Sequence, residues 1–171
     1  MHLRLKYSRP QIILHWLSAA IIIWATLSGF YVAIVGVADP VSDAIGFFNV
    51  SITTVFIPLF ILRCYYFLSA PKPTDANANP WLNFIAHATH LLLYVTILVV
   101  LITGVLMMER AINVFHLFTL PQPLHDPWLT GLFNRIHIIS CAVLAALIAL
   151  HIAAVIKHEW QNKQLLKRML P

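Results

Sequence analysis

Nine histidines in 171 residues set the chemistry to look for. Five of them, His15, His87, His90, His137 and His151, fall within or at the edge of long apolar runs. An ionisable side chain is costly in lipid, so it faces a bundle interior and has a task there. The plainest task is a hydrogen bond between helices. Five imidazoles together shift the balance toward ligation of a cofactor. His137 and His151 are 14 residues apart. At about 100° per residue this is within about 40° of four full turns, so the two share a helix face. At about 1.5 Å per residue they stand about 21 Å apart along the axis. One helix thus presents an imidazole near each surface of a membrane, as two macrocycles stacked across a bilayer require. Haem suits these residues better than zinc. It is a large apolar ring that asks for one or two axial imidazoles, and apolar helices supply its walls.

His15 lies about one turn inside its apolar run, and His151 about five residues before the end of its own. They sit at similar depth and can face each other across one haem. His137 lies near the opposite surface. A partner at that depth has to come from the start of the second apolar run or the end of the third.

The elements that position these residues follow from the runs themselves. A membrane span needs about 20 apolar residues. Four segments qualify, at about Ile12–Val37, Ala44–Leu68, Leu82–Met108 and Leu132–Ile156. Backbone groups in lipid must bond internally, so the spans are helices. The expected fold is all-α, an integral membrane four-helix transmembrane bundle forming a single domain over residues 1–171. Asp39-Pro40 ends the first hairpin. Ala70-Pro71-Lys72-Pro73 and Asn79-Pro80 separate the second and third spans, and Pro121, Pro123 and Pro127 mark the loop before the fourth. Pro58 lies inside the second span, where it kinks a helix that its neighbours tolerate.

Composition agrees. The chain is 60% hydrophobic and 10% charged, against about 25% charged in a soluble domain. The net charge of +5 comes from short basic clusters beside apolar runs. That is a topology signal, not a nucleic-acid-binding face. Cys64 and Cys141 lie within apolar runs without CxxC spacing, so they read as small packing residues. Arg4, Lys6 and Arg9 precede an uncharged stretch from Pro10 to Ala38. A signal peptide's apolar region is only about 7–15 residues, so this stretch reads as the first span. Arg4, Lys6, Arg9, Arg63, Lys72, Lys157, Lys163, Lys167 and Arg168 fall on one side, and Arg110 and Arg135 on the other. By the positive-inside rule both termini face the cytoplasm, with Asp39, Asp43, Glu109 and Asp126 outside. Trp16, Trp81, Trp128 and Trp160 read as an interfacial belt.

At the histidines a resemblance becomes specific. Lys6-Tyr7-Ser8-Arg9-Pro10-Gln11, followed by Leu14-His15-Trp16, is similar to the opening motif of the bacterial cytochrome b561 family. Ala86-His87-xx-His90-Leu91-xx-Tyr94, then Gly104 and Met107-Met108, resemble its third helix. His137, His151, His158 and the closing Leu165-Leu166-xx-Met169 resemble its fourth helix and tail. The likeness runs in order over nearly the whole chain. It implies a four-helix membrane protein of the bacterial inner membrane, related to the cytochrome b subunits of formate dehydrogenase and hydrogenase. Such proteins pass electrons between a quinone, ubiquinone or menaquinone, and a partner through two b haems. It also implies the pairing of His15 with His151.

One departure stands out. The family's second-helix histidine falls about 14 residues before the span-two arginine, Arg63, and that position is Asn49. The second haem is therefore in question. It is absent, or held by His137 alone and open to a small ligand, or completed by another group such as His116, Met107 or Met108. Other roles stay open in the same way. Arg63 pairs with a haem propionate or anchors the helix by snorkelling. His87 and His90 bond a propionate or quinone, or serve helix packing. His158 donates to a quinone carbonyl or is solvated. Gly29 and Gly104 let helices or a porphyrin approach closely.

The expected function is a membrane b-type cytochrome transferring electrons between the quinone pool and a redox partner. The alternatives are a haem-bearing anchor subunit of a periplasmic redox enzyme and a haem-poor structural paralogue. Val114-Phe115-His116-Leu117-Phe118 would suit docking of a periplasmic partner, or is a short interfacial segment. Membrane lipid is an expected partner, nucleic acid is not, and a homodimer is left open.

Overall fold

The computed structural model describes residues 6–70, 80–161 and 166–169. Four helices dominate it: α1 (Arg9–Val35), α2 (Asp39–Ser69), α3 (Pro80–Leu106) and α4 (Pro127–Trp160). A small hairpin of β1 (Ile112–Val114) and β2 (Phe118–Leu120) joins α3 to α4, and a 3-10 turn (Leu166–Arg168) follows α4. All four helices contain stretches long and apolar enough to cross a membrane. Their outward faces carry large apolar side chains, among them Leu27, Ile34, Leu68 and Leu150. The buried cluster is narrow and consists of Ile21, Phe56, Phe60, Leu93, Ile97, Leu101 and Leu144. Lipid is the solvent that such a surface fits, because its tails are as apolar as the side chains facing them.

Local chemistry explains the helix ends. Ser8 precedes α1, and its N–H donates to Gln11 Oε1 at 2.9 Å, the return half of a capping box. Gly36 closes α1 at φ +65°, a left-handed conformation that costs glycine little. Two expectations about prolines need correction. Asp39-Pro40 does not end the first hairpin. It opens α2, ahead of the expected Ala44, and leaves residues 36–38 as the link. Pro127 likewise opens α4, ahead of the expected Leu132. Proline is at home in a first turn, where its missing N–H would have no partner anyway. Asp126 caps α4, its Oδ1 accepting from the N–H groups of Trp128 at 2.8 Å and Leu129 at 3.3 Å. Helix α2 continues through Pro58. Residues 71–79, with Arg4, Lys163 and Leu165, lie outside the described residues.

The hairpin adds strand to a chain expected to be helical throughout. Ser51 of α2, fully buried, pins it. Its hydroxyl donates to Asn113 O at 3.2 Å and accepts from Phe115 N–H at 3.1 Å. Ile112 and Val114 pack inward beneath it.

Packing pairs the helices. α1 lies along α2 and α3 along α4, while α2 and α3 join the two pairs. α1 and α4 approach one another far less closely than these pairs among the described residues. The start of α1 and the end of α4 lie at the same end of the bundle. Trp16 there donates its indole N–H to Met169 O at 2.8 Å. The hairpin lies at the opposite end.

Candidate functional site: two histidine clusters in one bundle

The cluster at the end where α1 starts and α4 ends, the termini end of the described residues, draws on all four helices around Arg63. The guanidinium Nη2 donates to His15 Nδ1 at 3.0 Å, and Nε donates to the Tyr94 hydroxyl at 3.1 Å. Arginine can only donate, so His15 accepts at Nδ1 and carries its hydrogen on Nε2. His90 Nδ1 lies 2.8 Å from Ala86 O, which can only accept, so His90 carries its hydrogen on Nδ1. The His90 ring packs edge-on against His151, with centroids 5.3 Å apart. His87 stacks on Phe67, which stacks in turn on Tyr94. Tyr7, Gln11, His15, Arg63, His87 and His90 line a cavity of about 100 Å³ here. Farther along α4, His158 Nδ1 is buried and meets no hydrogen-bond partner among the described residues. His90 links the expected pair. It shares the cavity with His15 and touches His151.

The second cluster surrounds a larger cavity of about 350 Å³ toward the hairpin end, walled by all four helices. Its surface is apolar apart from a few groups. From α4, His137 and Cys141 line it, and from α2, Asn49 does. His137 Nδ1 lies 3.1 Å from Val100 O and 3.2 Å from Thr103 Oγ1. The carbonyl can only accept, so Nδ1 holds the hydrogen and Nε2 holds the lone pair. That tautomer is the one a metal-ligating imidazole needs, with the other nitrogen tied to a carbonyl. Cys141 Sγ lies 3.5 Å from Nε2. Gly104 makes room for the ring, since a Cβ there would stand 3.1 Å from His137 Cε1. Gly29 and Gly46 also line the cavity, and a Cβ on either would meet nothing within 4 Å. Gly29 therefore does not serve close helix approach; it leaves cavity space.

A model of the prokaryotic cytochrome b561 family matches residues 6–171. The chain belongs to that family. A prokaryotic cytochrome b561 is a membrane b-type cytochrome of electron transfer, so this is a multi-pass bacterial membrane protein and haem b is its implied cofactor. The residues present fit the group. Among the described residues no three His, Cys, Asp or Glu side chains gather around one point as a bare-ion site would need. Haem needs only axial imidazoles and apolar walls. The cytochrome b561 chain offers both, together with cavity-lining glycines where a side chain would take up room.

α4 runs unbroken through His137 and His151, so the two do stand on one helix at opposite clusters. Met107 and Met108 line the larger cavity, but His116 does not. It sits on the hairpin, stacked on Phe47 at 4.7 Å, with Nδ1 accepting from Asn113 Nδ2 at 3.1 Å. Sequence reasoning missed Ser28, Thr103 and the Val100 carbonyl. Serine and threonine are so common in membrane helices that nothing in the sequence marks these as partners of Asn49 and His137.

Proposed function

We propose that this cytochrome b561 family member exchanges electrons with the quinone pool, and that His15 and His151 are the axial ligands of one b haem. The observation that carries the reading is the convergence of histidines from α1, α3 and α4 at one end of the bundle. α1 and α4, which approach one another little among the described residues, each bring an imidazole to the end where Arg63 and His90 also converge. Haem, when bound, supplies one-electron chemistry over a potential range set by its ligands and surroundings. The chain's own part is to hold and tune. Arg63, on leaving His15 Nδ1, can pair with a propionate by charge-assisted hydrogen bonds. His15 can then hold its hydrogen on Nδ1 and present Nε2 for ligation. His137 is the ligand we assign at the hairpin end.

Quinone, ubiquinone or menaquinone, is placed at the termini end near His90 and His158. The buried Nδ1 of His158, without a partner among the described residues, supports this, because such an atom is costly unless a ligand meets it. Both termini are assigned to the cytoplasm from the nine basic residues on that side. A second reading, docking of a periplasmic redox partner, draws support from the hairpin tip, where Leu117 is 81% exposed. Co-purification of a soluble redox enzyme through that tip would favour it.

The test of the main reading is the pair His15→Ala and His151→Ala. Each is expected to abolish the low-spin b-haem absorbance of the termini-end site. A normal reduced spectrum in either variant refutes the pairing.

A further inference from the structure

The larger cavity holds one imidazole and no second. Among the described residues that line it, His137 is the sole histidine, contributed by α4. Its ring is held for ligation through one face only. Nδ1 donates to Val100 O, Gly104 leaves the ring its space, and Nε2 keeps the lone pair, with the Cys141 thiol 3.5 Å away as the donor that a bound iron would replace. On the α1–α2 side the cavity presents a different chemistry. Asn49 Nδ2 donates to Ser28 Oγ at 2.9 Å. The Ser28 hydroxyl lies 2.7 Å from Trp24 O and has one hydrogen to give, which that carbonyl takes. Asn49 Oδ1 also lies 3.1 Å from that hydroxyl, within its reach but farther than the Trp24 carbonyl, so Ser28 holds the amide from both of its ends. An amide carries two N–H hydrogens, and the bond to Ser28 uses one. The other has no partner among the described residues, and Asn49 lines the cavity. A neutral amide is a weak base and a poor iron ligand, but it is a good hydrogen-bond donor to a ligand already on iron. Such a donor at a haem's open face governs which small molecules bind there.

We propose that this cavity is a small-ligand site: a b haem bound through His137 alone, with its sixth position open to a neutral diatomic molecule and Asn49 as the hydrogen-bonding group beside it. The proposal rests on the reading of the chain as a b-type cytochrome, but not on the assignment of His15 and His151. Met107 and Met108 line the same cavity at its rim and also border a shallow surface pocket with Glu109 and Arg110. A thioether bond to iron is the competing arrangement.

The test uses the full-length protein purified in detergent, with carbon monoxide as the probe. Native protein is expected to show a high-spin ferric signal by electron paramagnetic resonance. Carbon monoxide should bind the reduced haem of this site and leave any six-coordinate haem untouched. His137→Ala is expected to lose the high-spin signal and the carbon monoxide-reactive haem while the low-spin spectrum stays. Asn49→His is expected to fill the open position, converting the signal to low-spin and cutting carbon monoxide binding about tenfold or more. Asn49→Leu keeps the site open but removes the donor, so the carbon–oxygen stretch of the bound complex should shift. Three results overturn the proposal: only low-spin signals in the native protein, as a methionine ligand would produce; unchanged haem content in His137→Ala; or undiminished carbon monoxide binding in Asn49→His. Loss of the low-spin signal in His15→Ala with the high-spin site intact separates the two sites, so failure of one assignment is not read as failure of the other.

Discussion

Gly104 is the position where a single methyl group should separate ligand placement from stability. A Cβ built there stands 3.1 Å from His137 Cε1 and 3.5 Å from Nδ1. Carbon atoms pack best at about 3.5–4.0 Å, so the ring must give by roughly 0.4 Å. His137 is held at Nδ1 by bonds of 3.1 and 3.2 Å. A shift of that size stretches them toward about 3.5 Å, where a hydrogen bond is nearly lost. The cost is about 1 kcal/mol. Alanine in a helix interior regains roughly 0.5–1 kcal/mol over glycine. Gly104→Ala should therefore melt close to the native protein while weakening the haem held by His137. Gly104→Val adds further bulk, costs about 1–3 kcal/mol as overpacking, and should empty that site. The assay is the haem-to-protein ratio by pyridine hemochrome, set beside thermal unfolding in detergent. A Gly104→Val protein with native haem content and an unchanged high-spin signal would refute the reasoning, because the ring would then have room that the geometry denies it.

Arg63→Gln removes both the donor to His15 Nδ1 and a cation beside the termini-end site. The midpoint potential of the low-spin haem should fall by about 60 mV, one tenfold step for a one-electron couple, since a nearby positive charge favours the reduced form; a potentiometric titration with no shift would place Arg63 away from the haem. Ser51→Ala leaves Phe115 N–H and Asn113 O without their partner on α2. It should cost about 1–3 kcal/mol, read as a lower melting temperature, with the low-spin spectrum retained. Reporter fusions after residue 171 and near Lys72 should read cytoplasmic, and one near Pro123 periplasmic; the reverse pattern would overturn the charge argument.

The sequence alone determined the four helices, the membrane setting and the end of the bundle to which His15, His137 and His151 belong. Length and polarity are enough for that, because a span is about as long as the bilayer is thick and a helix advances a constant distance per residue. It also showed that His137 and His151 share one helix, since their spacing fits the helical period. It misjudged Pro40 and Pro127, because a proline that breaks a helix and one that begins it look alike until the first turn is seen. Tertiary structure decided helix rotation and pairing. These helices are apolar on every side, lipid outside and cavity within, so the pattern of residues scarcely marks the inward face. The contacts that set each imidazole's tautomer join residues distant in the chain: Arg63 with His15, the Val100 carbonyl with His137, Ser28 with Asn49. Whether a histidine keeps a lone pair for iron, or spends it on an arginine, follows from which helices lie side by side, and no local spacing carries that information.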